Sequence, residues 1–270
     1  MSDLANNGAI NFDMLLKTAI GLPGVRIKRE EFLTAALKPY YPDTVVAEAL
    51  SYNPAFAGIY VKEIDKIANA SIRLETRNVT ALSFAAGVPG GFALAGTIPA
   101  DLAQYFGHIL RILQKLIYLY GWQELFDENG SMDDETVNLL TLFTGVMFGV
   151  AGASNAIVKV AESASQKTAK TLAQKALTKG AIYPIVKKVA TTLGVNMTKD
   201  IFAKSVSKVI PVIGGVASGG LTYVTYKPMA IKLQTHLATL KFADVDFYAN
   251  NPETIIDVSP IEADNNETYF

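Results

Sequence analysis

A chain of 270 residues is long enough to bury a substantial core. Half of its residues are hydrophobic and only 18% are charged, against about 25% in an average globular domain. The absence of cysteine excludes disulfides, thiolate metal sites and cysteine nucleophiles.

The N-terminal part is predicted as short helices separated by turns. Phe12–Ile20 stops at Gly21-Leu22-Pro23-Gly24, Arg29–Lys38 stops at Pro39, and Asp43–Ser51 follows Pro42. A long helix is expected over about Val61–Ala86, where Ile64, Ile67, Ala68, Ile72, Val79 and Leu82 recur near helical spacing. Gly87-Val88-Pro89-Gly90-Gly91 breaks it. The next helix starts at Ile98-Pro99 and runs to about Tyr120, before Gly121. Asp133-Asp134-Glu135 reads as the N-terminus of a long apolar helix reaching roughly Val158, with carboxylates at the positive end of the dipole.

Lys159–Leu177 is rich in Ala, Lys and Gln and has high helix propensity. Gly180 and Gly194 separate helices at about Tyr183–Leu193 and Thr198–Ile210, and a last helix spans roughly Gly214–Leu240, bent near Pro228. No strand pairs are evident. The expected fold is an all-α multi-helix bundle with glycine-rich apolar central helices.

Three stretches carry no charge: Asn78–Ala100, Val137–Val158 and Val209–Tyr226 hold 11 of the 20 glycines. Each contains a G-x-x-x-G step, at Gly87/Gly91, Gly145/Gly149 and Gly215/Gly219. Such glycines let helices approach closely, in a protein core or in a bilayer. Val137–Val158 is the best candidate for a membrane span, although Asn138, Thr141, Thr144, Ser154 and Asn155 interrupt it; a buried hairpin of a bundle explains all three stretches as well.

The run Ala86-Gly87-Val88-Pro89-Gly90-Gly91, followed by Ile98-Pro99-Ala100-Asp101-Leu102 and Tyr118-Leu119-Tyr120-Gly121, resembles the EcsC family of bacterial proteins. Ile210-Pro211-Val212-Ile213-Gly214-Gly215, with Gly219-Gly220 and Tyr223, is similar to the family's second signature. The likeness covers roughly Ile59 to Leu240 and implies a helical fold, with no agreed enzyme activity. The expected organisation is an N-terminal short-helix region over 1–58, an EcsC-like domain over 59–242 and an acidic flexible tail over 243–270.

No active site is readable. The most suggestive line of side chains is Asp101, Gln104, His108, Arg111 and Lys115, which share one helix face at steps of three or four. It would suit a proton relay or an anion-binding line; the simpler reading is the polar face of an amphipathic helix. With only two histidines, His108 and His236, and no metal-ligand spacing, neither a metal nor another cofactor is expected.

Net charge is −1 but unevenly distributed, with −5 over residues 1–158, +8 over 159–208 and −4 thereafter. The central segment holds ten lysines against Glu162 and Asp200. Lys167, Lys170, Lys175, Lys187 and Lys188 suit contact with anionic lipid, and equally a solvated face. Lacking arginine and rich in neither aromatic nor stacking residues, the segment does not suit nucleic acid.

The leading expectation is a non-enzymatic protein at a membrane surface, with Gly87, Gly91, Gly145, Gly149, Gly215 and Gly219 packing helices together. A binding protein or hydrolase for an apolar or lipid-like ligand, with a cavity near Asp101, His108 and Arg111, is the alternative. A scaffold using the acidic tail to contact a protein partner is the third. Met1–Asn11 has no secretory pattern, so the expected location is cytoplasmic, peripheral at the inner face of the cell membrane.

Overall fold

The computed structural model describes residues 11–85, 98, 100–127, 131–164, 180, 182–196 and 217–251. Among them the chain forms α1 (Phe12–Ile20), α2 (Arg29–Leu37), α3 (Asp43–Ser51), α4 (Val61–Ala85), α5 (Ala100–Leu119), α6 (Asp134–Phe148), α7 (Ala153–Ala164), α8 (Tyr183–Asn196), α9 (Ala217–Leu237) and α10 (Val245–Asn250). The described residues contain no strand. The protein is an all-α multi-helix bundle.

Local chemistry fixes the helix starts. The Asn11 side chain accepts from Met14 N at the head of α1, and that of Asp133 accepts from Thr136 N at the head of α6. α5 from Ile112 to Leu119 and α6 from Leu139 to Met147 are buried around their whole circumference, as expected of helices at the centre of a bundle. α4 and α9 pack along one another, both touch α5, and α6 is flanked by α7, α8 and α9. Trp122 lies fully buried after α5, edge-on to Phe143 and Phe242 with ring centroids 4.9 Å away in each case. Residues from α1–α3 belong to the same apolar core as those of the later helices.

Buried Arg29 holds the N-terminal layer in place. Its guanidinium donates to the carbonyls of Ala49, Leu50 and Tyr52, capping the open end of α3, and to that of Trp122. Gln114 of α5 does similar work for the turn before α2, accepting from Ile27 N and donating to Val25 O.

Three expectations need correction. Val137–Val158 is not one helix: α6 ends at Gly149 in the left-handed region (φ 71°), and Gly152 (φ 91°) begins the return into α7. Gly149 N and Val150 N close the end by bonding to Val146 O and Gly145 O. The candidate span is therefore a helical hairpin, and no described helix is long and apolar enough to cross a membrane. Gly194 likewise does not end α8, which continues to Asn196.

Third, the segment read as a flexible tail from residue 243 starts as ordered structure. A short 3-10 turn over Lys241–Ala243 leads into α10, capped by the Asp244 side chain on Asp246 N. Tyr248 is buried, packs edge-on to Phe56 and receives a 2.8 Å hydrogen bond from Asn53 Nδ2. The expected helix at Thr198–Ile210 and the rest of the acidic tail lie outside the described residues.

Candidate functional site

The polar line on α5 does not face one environment. Asp101 lies in the first turn of α5, Gln104 is exposed, His108 and Arg111 are half-buried, and Lys115 is buried. The helix carries the line from solvent into its contact with α4. There it meets Glu75, whose side chain is 0% exposed.

An isolated buried carboxylate is costly, so it must be paired and hydrogen-bonded. Arg111 grips Glu75 bidentately through one edge of its guanidinium, Nη2 to Oε1 at 3.0 Å and Nε to Oε2 at 3.2 Å. Lys115 Nζ donates to the same Oε1 at 2.5 Å and lies 5.6 Å from the centroid of the Phe32 ring. Arg111 Nη1 also donates to the carbonyl of Gly24. One carboxylate thus ties α4 to α5, and Arg111 extends the tie to the turn after α1.

These contacts set the protonation states. Burial alone raises the Glu75 carboxyl, but the bonds and charges of Arg111 and Lys115 outweigh it and hold the group below its ordinary range. Burial holds His108 below its ordinary value, with Arg111 adding to the effect and Glu75 opposing it. Tyr226 of α9 is raised well above its usual pKa, first by burial and then by Glu75, and its hydroxyl donates to His108 O at 2.9 Å. Among the described residues, His108 Nδ1 is buried without a hydrogen-bond partner.

A second inward carboxylate lies ten positions earlier on α4. Asp65 accepts from the Tyr120 hydroxyl and, at 3.4 Å, from Gln234 Nε2 of α9. Asp65 thus ties α4 to α9 and to the end of α5, whereas the bonds of Glu75 run to α5. Chemically, the Glu75 cluster behaves as a clamp: its anion is neutralised and its fork is turned toward internal acceptors. A shallow surface depression of about 600 Å³ borders α2, lined by Glu30, Glu31, Thr34, Ala35, Lys38 and Pro39, with no residue of the α5 line among them.

No group of three or more His, Asp or Glu residues that could hold a metal occurs among the described residues. The acidic start of α6 is the densest set of carboxylates there. Burial, followed by a hydrogen bond with Asp133 and the charges of Asp133 and Asp134, pushes Glu135 up to about 7.

The other predicted residues divide clearly. Lys187 and Lys188 are exposed on α8, with Lys187 Nζ 4.8 Å from the centroid of the Tyr183 ring, and Lys159 is exposed on α7. Lys167, Lys170, Lys175, Gly87, Gly91 and Gly215 lie outside the described residues, while Gly219 lies in the first turn of α9. Gly145 is where α6 meets α7 and α8: a Cβ there would stand 2.6 Å from Val189 Cγ1 and 2.9 Å from Ala153 Cβ. Gly149 is exposed and serves as the helix cap, with Lys232 Nζ over it.

Sequence reasoning missed Glu75. The available signal was its position within the apolar run Ala68, Ile72, Val79, one step after Ile72 and one before Val79. An acid at that spacing falls on the buried face.

Comparison of the chain with protein-family models, curated proteins and solved structures found no match.

Proposed function

We propose that this chain is a non-enzymatic, EcsC-like peripheral membrane protein that contacts anionic lipid through its lysine-rich segment, from the cytoplasmic side. The observation that carries this reading is the exposure of Lys159, Lys187 and Lys188 without an ion-pair partner among the described residues, in a segment of ten lysines and two acids. Cations near an anionic leaflet are each worth about 1 kcal/mol, so several acting together give useful affinity. The hairpin break at Gly149 directs the reading to surface contact in place of a constitutive span. The commitment of Arg111 to Glu75 and Gly24 argues against its use for a ligand.

Co-sedimentation with vesicles tests the reading. The protein is expected to pellet with phosphatidylserine-containing vesicles and to stay in the supernatant with phosphatidylcholine alone. Lys187→Glu with Lys188→Glu is expected to weaken pelleting by at least about tenfold. Equal recovery with charged and neutral vesicles, or none with either, contradicts it.

A further inference from the structure

α4 sorts its own charges between two sides. Its sequence contains four cations, Lys62, Lys66, Arg73 and Arg77, and three acids, Glu63, Asp65 and Glu75. Asp65 and Glu75 turn inward, where Tyr120 with Gln234 and Arg111 with Lys115 satisfy them. All four cations are exposed, and none forms an ion pair among the described residues. At 3.6 residues per turn they fall within an arc of roughly 60°, along a ridge of about 22 Å. Glu63 is the one acid left outside, at the N-terminal end, where it shares a hydrogen bond with Tyr41.

Two exposed apolar groups flank this ridge. Leu74 is 51% exposed and lies beside Arg73 and Arg77 on the helix surface; Tyr60 is 58% exposed immediately before α4. Beyond Arg77 the sequence carries no charge from Asn78 to Ala100. A basic row edged by an aliphatic and an aromatic side chain is the pattern of helices that lie in a headgroup layer. A nucleic-acid backbone would match the cations but would leave Leu74 nothing to bury against.

We propose that the outer ridge of α4 is a second docking surface for an anionic bilayer, with the four cations among the phosphates and Leu74 at the acyl boundary. The proposal rests on the peripheral-membrane reading above and adds a site outside the lysine-rich segment. Buried partners for Asp65 and Glu75 are what make the ridge basic: they withdraw two negative charges from the side that meets the membrane.

Because the chain has no cysteine, Leu74→Cys accepts a single environment-sensitive fluorophore on the full chain. Thr239→Cys, exposed in the turn after α9, supplies the control. On adding phosphatidylserine-containing vesicles, the label at position 74 is expected to brighten and shift to the blue while that at 239 does not. A second variant combining Lys62→Gln, Lys66→Gln, Arg73→Gln and Arg77→Gln, checked for unchanged helicity, is expected to bind at least about tenfold more weakly. Wild-type vesicle binding with a silent label at 74 and an unimpaired glutamine variant overturns this site and leaves the lysine segment in place. No vesicle binding at all removes both. Binding of an oligonucleotide by the ridge, without response to vesicles, overturns the lipid assignment.

Discussion

Glu75 Oε1 and Lys115 Nζ stand 2.5 Å apart inside the contact of α4 with α5, joining residues 40 positions apart in the chain. Arg111 completes the cluster from the same side of α5. The pairing makes burial of the carboxylate tolerable, and it leaves two buried or half-buried cations dependent on a single anion.

That dependence predicts a large effect of removing the anion. Glu75→Ala is expected to cost about 3–5 kcal/mol in urea denaturation, because two cations lose their counter-charge away from water. The triple variant Glu75→Leu, Arg111→Met, Lys115→Met is expected to recover most of that loss. A loss below about 1 kcal/mol for Glu75→Ala would mean that water reaches the cluster and screens it.

The same cluster shapes the acid limb of stability. The Glu75 carboxyl is held below its ordinary range, so the folded state takes up its proton less readily than the unfolded chain. Its contribution is present above the unfolded value of about 4.3 and is lost as pH falls through the depressed folded value. Denaturation midpoints of Glu75→Gln are expected to fall less steeply below that pH than those of wild type. In the same variant, the His108 ring resonance is expected to titrate at lower pH than in wild type, since Glu75 is the charge that raises it and Arg111 remains to lower it. An upward shift would contradict the electrostatic account.

Gly145 is a close-approach position. Gly145→Ala is expected to destabilise by about 1–3 kcal/mol, because the new methyl collides with Val189 and Ala153. Adding Val189→Ala removes the nearest contact and is expected to restore part of the loss. An unchanged melting temperature for Gly145→Ala would show that α6, α7 and α8 separate at no cost.

How far the fold was legible in sequence depends on which residues carried the signal. α1 and α3 match their expected limits because the turn residues around Gly21–Gly24, Pro39 and Pro42 have few alternatives to ending a helix. Val137–Val158 misled because absence of charge describes a medium rather than a path. The hairpin is set by the backbone at Gly149 and Gly152, and hydropathy registers neither. The polar line on α5 was visible as spacing, but its meaning lay in Glu75, which belongs to another helix and is brought to it only by packing. Docking of Tyr248 on Asn53 spans 195 positions and leaves no local mark. The lysines proposed to contact lipid were legible as charge excess alone, and the sorting of charges on α4 required knowing which acids turn inward.

Salt dependence of vesicle binding tests the central claim most directly. The intact protein is expected to bind phosphatidylserine-containing vesicles at about 0.05 M salt and to be released at about 0.5 M, with helical content unchanged, because screening weakens contacts between exposed lysines and lipid phosphates. Binding that persists undiminished at high salt, or that never occurs at low salt, would contradict contact by surface cations.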